Sequence, residues 1–149
     1  MSIGPFTLQP LHDPTKLLTV KGDFEEEGTI LVQRGREPSR HQQFDLDEVA
    51  TNVWRLIDVF SEKVLTVPNA SIDNGTQIIL SDWKRLDNQK FVGFTVQDIE
   101  FGQLDDVILR ALHSGKVLDV FGASTDDGAP IIQFDEHGGN NQRWRFRKV

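Results

Sequence analysis

Lys116-Val117-Leu118-Asp119-Val120, followed by Gly128 and by Asn141-Gln142-Arg143-Trp144, is the stretch on which the fold turns, because its landmarks occur twice more at the same spacing. The other copies are Lys16-Leu17-Leu18-Thr19-Val20 with Gly28 and Gln42-Gln43-Phe44, and Lys63-Val64-Leu65-Thr66-Val67 with Gly75 and Gln89-Lys90-Phe91. In each, the Gly lies nine residues beyond the Thr or Asp, the Gln fourteen beyond the Gly, and an aromatic two further on. Five landmarks in register across three copies mark an architecture of equivalent repeated units. The period is 47 residues from Gln42 to Gln89 and 53 from Gln89 to Gln142, so about six residues are inserted between the second and third copies.

Within each copy the apolar residues come in short runs, such as Leu17-Leu18 with Val20, Ile30-Leu31-Val32, Ile78-Ile79-Leu80 and Ile131-Ile132. These runs are too short for helices, rich in β-branched residues and bounded by Gly, Pro, Asn and Asp, which predicts strands and an all-β fold. A further strand opens each copy, clearest at Val53-Trp54-Arg55-Leu56-Ile57 and over Val107 to Leu112, giving about four strands per repeat and twelve in all. Gly28, Gly75 and Gly128 each follow an acidic or polar stretch (Asp23 to Glu27, Ser71 to Asn74, Ser124 to Asp127) and precede an apolar strand. That placement predicts tight turns with positive φ. Gln42, Gln89 and Gln142 are placed to bond turn backbone, while Phe44, Phe91 and Trp144 enter the core and meet near a threefold axis.

A chain of 149 residues fits one domain spanning 1–149, in which repeats of about 1–48, 49–100 and 101–149 share a single core. Lys+Arg total 16 against Asp+Glu 23, a formal charge of −7, which makes nucleic acid or an acidic membrane a poor partner. Cysteine is absent, which excludes disulfides, thiolate chemistry and Cys-type zinc sites. Met1 to Phe6 has no signal-peptide pattern and no segment approaches the ~20 apolar residues of a membrane helix, so the expectation is a soluble, cytoplasmic protein, any release being non-classical. The sequons at Asn69 and Asn74 are then incidental. His12, His41, His113 and His137 lack metal-ligand spacing, and neither a nucleophile turn nor a phosphate loop occurs. Acidic runs such as Glu25-Glu26-Glu27 and Asp105-Asp106 suit solvated loops. No enzyme, cofactor or metal centre is implied.

With Gln-x-aromatic three times, Leu118-Asp119-Val120, and Gly128-Ala129-Pro130-Ile131-Ile132-Gln133-Phe134 leading to His137-Gly138-Gly139-Asn140-Asn141-Gln142-Arg143-Trp144, the chain resembles ricin-type β-trefoil lectins over nearly its whole length. The short, cysteine-free form is closest in style to fungal fruiting-body lectins. The resemblance implies a β-trefoil that binds galactose or N-acetylgalactosamine in shallow pockets, one per repeat. In the third copy Asp119 would accept hydrogen bonds from two vicinal hydroxyls, a task that suits the two oxygens of a carboxylate. Phe134 would be the aromatic shelf for the sugar's apolar face, Asn141 would bond a hydroxyl, Gln142 would support the pocket from behind, and His137 would touch its rim. Ile132 stands where the family often has Gln, a departure that weakens binding or alters the preferred sugar.

The first two copies depart further, with Thr19 and Thr66 for Asp and Arg34 and Ser81 for the shelf. His41 replaces Asn in the first copy, while Asn88 survives in the second, where Trp83 is a substitute shelf and makes Trp83 and Asn88 a second candidate site. The expected partners are galactose-type glycans on glycoproteins or glycolipids. A homodimer is expected if the protein agglutinates cells, since one good pocket per chain cannot crosslink. The rival is a protein-binding trefoil, such as a protease inhibitor or toxin component, whose sugar pocket is vestigial. A binding module detached from a larger enzyme is a third reading.

Overall fold

The computed structural model describes residues 2–22, 26–38 and 40–149, so Asp23 to Glu25 of the first acidic stretch lie outside the described residues. Among the described residues, thirteen strands and one short α-helix follow each other. The strands are β1 (Ser2–Pro10), β2 (Lys16–Val20), β3 (Leu31–Gly35), β4 (Phe44–Ala50), β5 (Val53–Asp58), β6 (Val64–Thr66), β7 (Ile79–Ser81), β8 (Phe91–Val92), β9 (Gln103–Val107), β10 (Arg110–Ala111), β11 (Val117–Val120), β12 (Ile131–Phe134) and β13 (Trp144–Lys148). The helix, α1, is Val96–Ile99.

Period-two alternation builds the core. Trp54, Leu56 and Asp58 of β5 point inward while Val53, Arg55 and Ile57 do not, and Phe44 with Leu46 and Trp144 with Phe146 do the same on β4 and β13. The hydrogen-bonded order β8-β5-β4-β1-β13-β9 returns through Ile108-Leu109 to β10, which lies beside β8, so this layer closes on itself and leaves no long free edge. The antiparallel hairpins β2/β3, β6/β7 and β11/β12 form a second layer. Single bridges Ile30 to Ile79, Gln77 to Ile132 and Val32 to Pro130 join each hairpin to the next in a ring of three. This is a β-trefoil.

One of the twelve expected strands is split. The third opening strand runs as β9 and β10 over Gln103 to Ala111 rather than Val107 to Leu112, because Val107 pairs with Trp144 of β13 whereas Arg110 and Ala111 pair with β8. The inserted residues fall between β8 and β9. There Thr95 and Asp98 cap α1 reciprocally, Asp98 N–H donating to Thr95 Oγ1 (3.2 Å) and Thr95 N–H to Asp98 Oδ2 (2.7 Å). Phe94 and Ile99 anchor the insertion in the core.

Phe44, Phe91 and Trp144 are equivalent in position and buried. The ring contacts of the core run instead through Phe6–Phe146, Phe94–Phe146 and the stacked pair Trp54–Phe94, whose centroids lie 4.6 Å apart. Gly28, Gly75 and Gly128 have φ of 85°, 90° and 91°. Each donates its N–H to a carbonyl of the next copy in the ring: Leu80, Gln133 and Gln33 respectively, at 2.8 to 2.9 Å. The residue before each glycine makes a side-chain bond to the same neighbour. Glu27 accepts from Asp82 N–H, Asn74 from Asp135 N–H (2.9 Å) and Asp127 from Gly35 N–H (2.9 Å). The turns that satisfy these backbone groups therefore lock the three copies together.

Candidate functional site

Strands β11 and β12 pair Val117 with Phe134, Asp119 with Ile132 and Val120 with Ile131, which puts Asp119, Ile132 and Phe134 beside one another. The turn Asn140–Gln142 brings up Asn141 from the other side. These residues, with Phe121, Gly122, Ala123 and His137, line a cavity of about 440 Å³. Asp119, Phe134, His137 and Asn141 thus come together at one cavity, and Gln142 lies directly behind them.

Asp119 is 2% exposed and both its oxygens are held. Asn141 Nδ2 donates to Oδ1 (3.2 Å) and Gln142 Nε2 to Oδ2 (2.8 Å). Asn141 Nδ2 also reaches Val120 O (3.1 Å), which fixes its amide and leaves Oδ1 as its acceptor. Gln142 is fully buried; besides holding Asp119 it donates to Asp135 O (2.8 Å) and accepts from His137 N–H (2.9 Å). It cannot reach a ligand, and its work is to orient the carboxylate. Burial pushes the Asp119 carboxyl above its ordinary pKa, opposed by the Gln142 bond, by His137 and by the Asn141 bond.

His137 Nδ1 accepts from Gly139 N–H (3.0 Å), so in the neutral ring Nε2 carries the proton, and Nε2 stands 3.6 Å from Asp119 Oδ2. Its ring lies edge-on to Phe134, centroids 6.1 Å apart. The cavity is thus a fixed two-oxygen acceptor between an apolar wall and a hydrogen-bond donor.

The Gln acts identically in all three copies. Gln42 Nε2 bonds Thr19 Oγ1 and Gly35 O, and Gln89 Nε2 bonds Thr66 Oγ1 and Asp82 O. The Thr hydroxyls, however, donate to backbone two residues back, Thr19 to Leu17 O (2.9 Å) and Thr66 to Val64 O (3.0 Å), so their hydrogens are turned inward. In the first copy Arg34 pairs with Glu37 (3.2 Å) and the His41 ring stands 5.0 Å from that of Phe60.

The second copy borders a larger cavity, about 670 Å³, lined by Thr66, Ser81 and Asn88 together with Glu27, Lys84 and Arg85. Asn88 Nδ2 bonds Val67 O (2.8 Å), as Asn141 bonds Val120. Trp83 is not brought to this cavity: the Arg55 guanidinium covers its ring at 4.9 Å. Where the third copy has its wall, Glu27 from the first copy reaches over and accepts from Ser81 Oγ (2.9 Å). Volume alone favours this cavity, but Thr66 stands where the third copy has the buried Asp119 and Ser81 where it has Phe134.

Sequence reasoning missed Phe121, which lines the third cavity and is 57% exposed. The available signal was position: the corresponding residues of the other copies, one beyond the valine that ends each Thr-Val, are Lys21 and Pro68, so a large ring appears here only beside the intact Asp.

The closed layer of strands and the ring of three hairpins define a β-trefoil, with the acid-floored cavity in its third copy. The model of the ricin-type beta-trefoil lectin domain-like family matches residues 3–81 and 87–149, and the chain belongs to that family. Among solved structures it is similar to ThreeFoil, a designed 3-fold symmetric protein, at 33% identity and a TM-score of 0.88 over 99% of this chain and 100% of that one. An exo-β-1,3-galactanase from Clostridium thermocellum is 27% identical, with a TM-score of 0.87, over 98% of this chain but 30% of its own. The Rhizoctonia solani agglutinin shares the fold at 18% identity, TM-score 0.82, over 98% of this chain and 95% of its own. No curated protein matches the chain.

Proposed function

We propose that this protein is a carbohydrate-binding lectin that recognises galactose- or N-acetylgalactosamine-type glycans through its third repeat and catalyses no reaction. The observation that carries the reading is Asp119: a buried carboxylate at a cavity floor, each oxygen held by one amide, with lone pairs left over for a ligand. Two vicinal hydroxyls donate to the two oxygens in charge-assisted bonds, the sugar's apolar face lies on Phe134, and Asn141 Oδ1 accepts from a further hydroxyl. His137 donates from Nε2 at the rim. A shallow site of this kind binds weakly, and its specificity comes from the orientation that the Gln142 and Asn141 amides impose on the carboxylate. Lectins share the fold, among them a Macrolepiota procera ricin B-like lectin in complex with lactose and the C-half of an earthworm R-type lectin in complex with GalNAc. A glycan array comparing the protein with Asp119→Ala tests the reading. Signal confined to glycans ending in galactose or N-acetylgalactosamine, and lost in the variant, is expected; signal on other termini, or an unchanged pattern in the variant, would overturn it.

A further inference from the structure

The third cavity is longer than one sugar. Phe134 stands at one end, paired with Val117, and the Asp119–Ile132 pair lies in the middle. At the other end Phe121 N–H donates to Pro130 O (3.1 Å), which continues the pairing by one more step. From the level of Phe134 to that of Phe121 is four residues along β11 and its extension, or ~13 Å at the rise of a strand. A single pyranose seated on Asp119 and Phe134 does not span that distance.

Phe121 is not held outward by accident of packing. It opens a turn, Phe121–Ala123, closed by Ser124 N–H donating to Phe121 O (3.2 Å), with Gly122 and Ala123 at φ of 62° and 51°. The second copy makes the same turn at Pro68–Ala70, with Asn69 and Ala70 at φ of 57° and 47°, so the backbone does not require a large side chain there. The ring takes no part in the core cluster. It faces a cavity whose other walls on that side, Gly122, Ala123 and Ile132, are apolar and small enough to leave room.

We propose that Phe121 is a second binding wall, and that the third repeat takes a galactoside of at least two residues: the terminal sugar on Asp119 and Phe134, its neighbouring hexose or N-acetylhexosamine against Phe121. This rests on the lectin reading above and adds the class of glycan to it. The apolar face of the second sugar, or its acetamido methyl, covers the exposed ring, a contact of the size of other aromatic pairings. Ligand length and linkage thereby become determinants that Asp119 cannot supply alone.

Titration calorimetry with galactose and with galactosyl disaccharides, β1→3- and β1→4-linked to N-acetylhexosamine, distinguishes the two claims. For the unaltered protein one of the disaccharides should bind about three- to tenfold more tightly than galactose. In Phe121→Ala that advantage should vanish, the disaccharide losing more affinity than galactose does, and Phe121→Trp should preserve it. Equal affinity for galactose and every disaccharide, or equal weakening of both in Phe121→Ala, would overturn the second wall and leave the lectin reading standing. Failure of galactose and all the disaccharides to bind the unaltered protein would overturn the lectin reading itself, and this inference with it.

Discussion

At position 119 a single substitution separates an open acceptor from a closed one. Thr19 and Thr66 spend their hydroxyl hydrogens on Leu17 O and Val64 O, whereas Asp119 has none to spend and keeps free lone pairs on both oxygens. Burial is the largest influence on Asp119 and raises its pKa, so the folded chain holds that proton more tightly than the unfolded chain does. Its ionisation therefore disfavours folding at neutral pH, and the penalty is relieved as pH falls through the raised value. Asp127 and Asp135 carry the opposite sign, since Lys16 and Lys116 lower their pKa values; what they contribute is present above the ordinary carboxylate range and lost on acidification. On the proposed reading, ligand binding requires the ionised form of Asp119. Galactose affinity should accordingly begin to fall at a pH above the ordinary carboxylate range, by up to about tenfold per pH unit. Calorimetry from about pH 7 down to about pH 4 checks this, and a flat affinity over that range would show that Asp119 does not take the hydroxyls.

At the scale of elements, the three hairpins are held by a ring of side chains that each reach into the next copy. Asn74 both donates and accepts in this ring, Nδ2 donating to Asp135 Oδ2 (3.0 Å) and Oδ1 accepting from Asp135 N–H. Asn74→Ala should cost about 1 kcal/mol, because both bonds are exposed, and lower the melting temperature by about 2–4 °C. Differential scanning calorimetry reads this, and an unchanged transition would mean that the backbone bonds from Gly28, Gly75 and Gly128 suffice. The repeat was legible in the sequence because these devices need particular residues. A positive-φ turn selects Gly, and a side chain that donates from one atom and accepts at another across a turn selects Gln. Asp119, Phe134, His137 and Asn141 could be placed together only through the resemblance to ricin-type lectins, which the landmarks of the third copy carry. β1 was harder to see, since Gly4 and Pro5 interrupt its run and its register with β4 shifts between Ile3 and Phe6. Contacts between copies were invisible: nothing local to Glu27 shows that it closes the second copy's wall, and nothing local to Arg55 shows that it covers Trp83.

For the whole molecule, stability and valence follow from what the three copies share and what they do not. The core is one cluster that includes residues of every copy, with Trp144 fully buried and its Nε1 donating to Leu118 O (3.2 Å). Trp144→Ala should cost ~3–5 kcal/mol and leave little folded protein, a circular dichroism melt providing the check; a near-normal melting temperature would remove Trp144 from the core. On the proposed reading, valence is set by the third-repeat pocket. A chain with a single sugar site cannot crosslink cells, and we propose that any agglutination comes from a twofold homodimer with both third-repeat cavities open, where a second binding event raises avidity by ~10²–10⁴. Light scattering on the agglutinating sample should give a dimer. A monomer that agglutinates would mean that the cavity bounded by Thr66 and Asn88 also holds sugar.

The most direct test of the central claim is the stoichiometry of monosaccharide binding. Galactose titrated into the protein by calorimetry should give one site per chain, unchanged in Thr66→Ala. Asp119→Ala loses a charge-assisted acceptor worth roughly 1.5–3 kcal/mol, against the ~4 kcal/mol of a millimolar complex, and should show no measurable heat while its circular dichroism spectrum stays that of the folded protein. One site retained in Asp119→Ala, or lost in Thr66→Ala, would place the sugar outside the third repeat and contradict the account.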